Sequence, residues 1–131
     1  MREPRWVPHL VVEATHLDQL REHGGLLGLR DENGLGTALA RPRQQWNYDS
    51  DADLAGLAAA YAFGIATAHP FNDGNKRSAF LTMAVFLGLN GKELDATEPE
   101  IVQVMTALAA GSLKEPQLAV WVRNHLVRLA L

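Results

Sequence analysis

The chain has 131 residues, with 12 Lys and Arg against 15 Asp and Glu for a formal charge of −3, and it has no cysteine. That length suits a single domain, residues 1–131, able to close a core without disulfide or metal support. The missing thiols exclude a disulfide framework and a thiolate zinc centre. A pI near 5.9 gives no electrostatic footprint for direct nucleic-acid binding.

In chain order, residues 1–8 carry two prolines and several charges and read as an irregular arm. No cation-led apolar leader is recognisable there, and the longest weakly polar run, Leu54 to Ala68, is too short to span a bilayer. The expectation is a soluble cytoplasmic protein without membrane contact. From His9 to His23, Val12, Leu17 and Leu20 fit a helical period, and Gly24-Gly25 supplies the stop. Leu26 to Asn33 is a glycine-punctuated connection, and a short helix over Leu35 to Ala40 is closed by Pro42. Residues 43–50 have no helical period, present Trp46 and Tyr48, and leave room for a short ribbon around Gln44 to Tyr48. Asp51 or Asp53 then caps a helix marked by Leu54, Leu57, Ala58, Tyr61, Ile65 and Ala68, which ends before Pro70.

Beyond a polar stretch, Phe80, Leu81, Met83, Val85, Phe86, Leu87 and Leu89 cover every side of one helix, which places it in the middle of the fold. Asn90-Gly91 stops that helix, and Lys92 to Leu94 form a brief extended link. Thr97 to Glu100 is a capping box with an early proline, opening a helix through Ile101, Val104, Met105 and Leu108 that ends at Gly111. Ser112 and Glu115 cap a last helix striped by Leu118, Trp121, Val122, Leu126 and Leu129. The predicted fold is all-α, a compact bundle of about six helices around the central helix that follows the polar stretch.

That stretch, His69-Pro70-Phe71-Asn72-Asp73-Gly74-Asn75-Lys76-Arg77-Ser78, concentrates the chemistry. It sits at a helix start, where outward backbone N–H groups and the dipole favour a phosphate. Asp73 can hold Mg²⁺ together with phosphate oxygens, and Gly74 permits a tight turn. Asn75 offers an amide to an oxyanion, while Lys76 supplies a point charge and Arg77 a fork. His69 is the neighbouring group suited to accept a hydroxyl proton. Phe71 reads as a buried anchor for the loop. Two cations in a first helical turn oppose the dipole unless an anion joins them. The set fits phosphoryl or nucleotidyl transfer and is not a Walker loop, whose spacing is absent.

His69 to Arg77 resembles the signature of the Fic/Doc superfamily, His-x-Phe-x-(Asp/Glu)-Gly-Asn-(Gly/Lys)-Arg, and the chain is similar to its Doc (death-on-curing) branch of bacterial toxins. His16, Gly24-Gly25, Arg30-Asp31 and the run Ala38 to Pro42 match that branch more weakly, as do Phe86-Leu87 and Asn90-Gly91. The likeness covers about residues 9–130. It implies His69 as base, Asp73 as Mg²⁺ ligand, Gly74 and Asn75 as anion hole, and Lys76 and Arg77 on the phosphates of ATP. Residues 43–50 match the location of the superfamily's target-docking flap, with Trp46 and Tyr48 as its contacts.

AMP-transferring members carry Gly-Asn-Gly-Arg-x-x-Arg, whereas here Lys76 and Phe80 stand in the second-Gly and second-Arg places. The inhibitory Ser/Thr-x-x-x-Glu-(Gly/Asn) sequence is missing too, since Ser112 to Glu115 is one residue too short. The resemblance therefore implies a kinase-type toxin that moves the γ-phosphate of ATP to a Ser/Thr hydroxyl of elongation factor Tu or another translation protein. It implies neutralisation by a separate antitoxin whose disordered tail folds on this domain. An AMP transferase and a catalytically idle peptide- or antitoxin-binding module are the alternatives. Of the other histidines, His16 and His125 read as packed and hydrogen-bonded, and His9 and His23 as surface positions. Trp6 is a candidate partner contact.

Overall fold

The structure, a computed structural model, describes residues 1–130. Six helices follow in order: α1 (His9–His23), α2 (Glu32–Tyr48), α3 (Leu54–Ala68), α4 (Asn75–Leu89), α5 (Glu98–Ala110) and α6 (Glu115–His125). Two three-residue strands, β1 (Lys92–Leu94) and β2 (Leu126–Arg128), pair antiparallel with Glu93 opposite Val127. The all-α class and the helix count agree with the sequence.

The most buried helix is α3, not α4. Its Ala55, Leu57 to Ala62, Gly64, Ile65 and Ala66 are buried, and α2, α4, α5 and α6 all pack on it. Its small side chains explain the arrangement, because they let neighbouring backbones close in from several sides. A Cβ on Gly64 would lie 3.1 Å from the Ala38 Cα of α2. In α4, Ser78, Ala79, Thr82, Met83, Phe86 and Leu87 are buried, whereas Phe80, Leu81 and Val85 are only partly covered and Leu89 is exposed. The apolar outer positions of α4 face a cavity and the small sheet rather than the molecule's centre.

Local capping follows the sequence where side chains decide it. Asp31 and Asp53 cap α2 and α3 by accepting from Gly34 and Gly56 at 2.9 Å each. Thr97 and Glu100 form the expected capping box. The N-cap of α6 is Lys114, whose N–H donates to Gln117 Oε1 at 2.8 Å, so neither Ser112 nor Glu115 is its cap residue. It ends at His125, and Leu126 turns into β2 instead of extending the helical stripe.

Helix α2 departs most from expectation. It runs straight through Pro42, and residues 43–48 are helical rather than a loop or ribbon. A proline inside a helix removes a hydrogen bond and costs about 3 kcal/mol. Here Leu35, Ala38 and Pro42 share the buried face, so packing along α3 outweighs that cost. The N-terminal arm is likewise docked. Val7 N–H donates to the Tyr61 hydroxyl at 3.0 Å, and Arg5 exchanges hydrogen bonds with the Asn90 side chain. Trp6 stacks near Phe86 with ring centroids 5.9 Å apart and is half-buried against the core, which accounts for it without a partner.

Candidate functional site

Residues 69–74 join the C-terminus of α3 to the N-terminus of α4, and the segment between α1 and α2 holds them in place. Leu29 forms an isolated antiparallel bridge with Phe71. Arg30 and Asp31 N–H groups donate to the Pro70 carbonyl at 2.7 and 2.9 Å, and Asn72 N–H to that of Gly28 at 3.0 Å. Phe71 is 3% exposed and stacks on the His16 ring at a centroid distance of 3.7 Å. The anchor role read from the sequence thus has a concrete partner. His16 is itself buried, and its Nε2 lies 2.9 Å from the Asp73 carbonyl oxygen, an acceptor that requires the proton on Nε2.

Asn75 does not aim its amide at a ligand. Its Oδ1 accepts from Phe71 N–H at 3.0 Å, and its Nδ2 donates to the Phe71 carbonyl at 2.9 Å. The side chain staples the loop, leaving the Asn75 backbone N–H for an anion. Helix α4 starts on Gly74 in the left-handed region (φ 75°) with no capping side chain, and its first helical bond runs from Ser78 N–H to Gly74. The N–H groups of Asn75, Lys76 and Arg77 have no acceptor among the described residues. Three parallel donors with the positive end of a helix dipole behind them form an anion seat. Lys76 and Arg77 are exposed beside it and make no ion pair among the described residues; Arg77 reaches only Gln19 Oε1, at 3.4 Å.

Asp73 accepts from Gly74 N–H at 2.9 Å through Oδ1 and from Leu26 N–H at 3.2 Å through Oδ2. The carboxylate is oriented yet exposed, with lone pairs to spare. No cluster of three or more metal-ligating side chains is present among the described residues. A single carboxylate beside an anion seat suits Mg²⁺, which keeps several waters and shares oxygens with a bound anion, and not a metal needing an all-protein cage.

His69 is exposed at the C-cap of α3 with φ 47° and ψ 55°, the sole non-glycine residue at positive φ among those described. A left-handed conformation in a residue with a Cβ costs about 1–3 kcal/mol and persists only where its surroundings enforce it. Two side chains in this region are buried without a hydrogen-bond partner, at Gln19 Nε2 and Ser78 Oγ.

The loop and the start of α4 open onto one cavity of about 780 Å³, within the size range of cofactor sites. His69, Asp73, Gly74, Asn75, Lys76 and Arg77 line its polar end. Phe80, Leu81, Ile101, Val102 and Met105 line its apolar end. This lining suits a ligand with an anionic group at one end and a less polar body at the other. The α5 wall was missed because Ile101 and Met105 belong to an ordinary core stripe. Val102, which is out of phase with that stripe and 59% exposed, was the available signal.

Trp46 and Tyr48 are not part of this cavity. Gly64 lies against Ala38, and a Cβ on Gly56 would sit 3.4 Å from Gln45 Nε2, so α2 and α3 run antiparallel. The 15-residue α3 therefore separates Tyr48 from His69 by roughly 20 Å. Trp46 packs against the core, and Tyr48 lines a second cavity with Arg41, Asp53 and Arg123. The backbone beside the loop is Leu26 to Arg30, irregular apart from the Leu29 bridge, and Leu26 and Leu27 are more than 60% exposed. Placing a docking flap at residues 43–50 is thus corrected by the continuation of α2 through Pro42, which carries that stretch to the far end of the molecule.

Residues 6–87 match the model of the Fic/DOC family. The chain belongs to the Fic/Doc family. It is 29% identical over 106 residues to "Protein kinase doc" of Escherichia phage P1, covering 81% of this chain and 83% of that protein. Over 74 residues it is 39% identical to "Toxin Doc" of Mycolicibacterium smegmatis (strain ATCC 700084 / mc(2)155), covering 56% of this chain and 57% of that one. Both place it on the Doc side of the family. No helix among the described residues is long and apolar enough to cross a membrane.

Proposed function

We propose that this Fic/Doc protein is a toxin of the Doc type, a phosphotransferase that moves the γ-phosphate of ATP to a Ser or Thr hydroxyl of a translation protein, with elongation factor Tu the first target to test. A separate antitoxin restrains it. The observation carrying this reading is the uncapped start of α4, with three backbone donors and two cations unpaired among the described residues, facing the same cavity as His69 and Asp73. Both relatives bear Doc names, one as a kinase and one as a toxin, in support of the branch.

In the proposed reaction the Asn75, Lys76 and Arg77 N–H groups and the two cationic side chains hold the phosphates. His69 takes the proton of the target hydroxyl as its oxygen forms a bond to the γ-phosphorus. The bond from that phosphorus to the β,γ-bridging oxygen breaks, and ADP leaves. Asp73 would hold Mg²⁺, which neutralises phosphate charge and fixes its orientation. Phe80 lines the cavity where AMP-transferring relatives place a second arginine, so the cavity presents an apolar surface rather than a further cation there. The target's hydroxyl-bearing segment docks along Leu26 to Leu29, the exposed edge beside the loop.

The test supplies protein, elongation factor Tu and ATP labelled at the α or the γ position. Label arriving from γ and disappearing with His69→Ala is expected. Label arriving only from α makes the protein an AMP transferase, and equal cellular toxicity of wild type and His69→Ala makes it a binding module.

A further inference from the structure

His69 holds a conformation that its own sequence opposes. It carries a Cβ at positive φ, and it precedes Pro70, a position that favours extended backbone. Helices that end on a left-handed residue ordinarily use glycine there. Where a described helix ends at positive φ, the residue is glycine after α1 and α5, at Gly24 and Gly111, and carries a Cβ only at His69, which lines the cavity.

The group that offsets this is Arg30. Its Nε donates to the His69 carbonyl at 3.0 Å, its Nη2 donates to the same oxygen, and Nη2 also reaches the Ala68 carbonyl at 3.3 Å. The guanidinium fork thus covers the last two carbonyls of the α3 end, where the dipole is negative and a cation is favoured. The Arg30 and Asp31 N–H groups meanwhile bind the next carbonyl, that of Pro70. Side chain and backbone of one short segment therefore grip three successive carbonyls, Ala68, His69 and Pro70. A lysine could neutralise the same helix end but has no planar fork to hold two carbonyls at fixed angles.

We propose that Arg30 is the positioning residue for His69, clamping its carbonyl so that the left-handed backbone presents the imidazole to the cavity. Arg30 does not line the cavity and acts through the base. This rests on the reading of His69 as proton acceptor. It also accounts for an arginine whose side chain pairs with no carboxylate among the described residues.

The test uses the full chain as Arg30→Ala, Arg30→Gln and Arg30→Lys, with two readouts. The first is the backbone conformation of His69, from its ¹³C shifts and its amide–Hα coupling in solution. The second is kcat and KM for ATP. Arg30→Ala is expected to lose the positive-φ signature and to lower kcat by about tenfold or more while KM changes by less than about twofold, because the phosphate seat is untouched. Arg30→Lys should restore part of kcat. Should Arg30→Ala fail to fold, the glutamine and lysine variants carry the same two readouts. A His69 that stays left-handed without the fork, or a kcat equal to wild type, overturns the proposal. A wild type that transfers no phosphate defeats the reading of the site instead, and the conformational readout still decides the clamp.

Discussion

The two ends of α3 make a natural experiment in charge. At its N-terminus Asp53 caps the helix and takes the Arg123 fork at 2.7 and 3.0 Å, while Arg41 pairs with Glu115 nearby. At its C-terminus a strained histidine, an uncapped helix start and two cations unpaired among the described residues gather around one cavity. Both ends are cavities with charged rims. At the first, Asp53 and Arg41 are paired from within the chain; at the second, Lys76 and Arg77 form no ion pair among the described residues. Folding alone would favour pairing or capping at both, so the unanswered end is the one shaped for something outside the chain.

Substitutions at the unanswered end should therefore change ligand binding far more than stability. The largest effect is expected from Asp73→Ala, which should abolish Mg²⁺-dependent ATP binding in calorimetry while leaving the fold intact; unchanged Mg²⁺·ATP affinity would remove Asp73 from the metal. Next comes Lys76→Ala, which deletes a charge-assisted contact worth about 1.5–3 kcal/mol, or roughly 10- to 100-fold in ATP affinity. That loss should shrink as salt is raised, because the cation is exposed and screened. Arg123→Ala, at the other end, should leave ATP affinity where it was.

Much of this contrast was legible in the sequence. The His69 to Arg77 stretch combined a base, a carboxylate, a glycine and two cations so closely that a phosphate seat followed from helix physics alone, and the structure puts them on one cavity. Asp53 and the Thr97–Glu100 box were readable because capping is a local bargain between neighbours. What failed to show was tertiary. Pro42 is a local stop signal, and only packing against the small face of α3 keeps the helix going to Tyr48. The same blindness put α4 at the centre, since an all-apolar pattern does not distinguish a core from the wall of a ligand cavity. Asn75 looked like a donor to a ligand because sequence cannot say that both ends of its amide are spent on Phe71.

Gly74 tests whether the seat depends on backbone shape as well as charge. Its φ of 75° suits glycine, and an added Cβ would meet the Gln19 amide nitrogen well inside van der Waals contact. Gly74→Ala should thus destabilise the protein by about 1–3 kcal/mol, visible as a lower thermal midpoint, and weaken ATP binding together with it. If stability falls while ATP affinity holds, the anion does not sit on the first turn of α4.

The smallest effect is expected at the answered end, where it can be divided. The Arg123 guanidinium hydrogen-bonded to Asp53, aided by the Gly56 N–H, holds the Asp53 carboxyl below its usual range against the opposing effect of burial. A depressed folded-state value means that stability is fully present above the unfolded carboxyl's pKa, about 3.9, and is lost as pH falls through the lower folded value. Asp53→Asn keeps a good cap and loses only a solvent-exposed pair, for at most about 1 kcal/mol. Asp53→Ala loses the cap as well, for about 1 kcal/mol more. In thermal melts the Asn penalty should be present near pH 7 and fade in acid, as the pH falls through the lowered folded-state value and the wild-type carboxyl becomes neutral too. An Asn penalty that persists in acid would mean that side-chain shape, and not charge, holds this end of α3, and the contrast between the two ends would lose its electrostatic half.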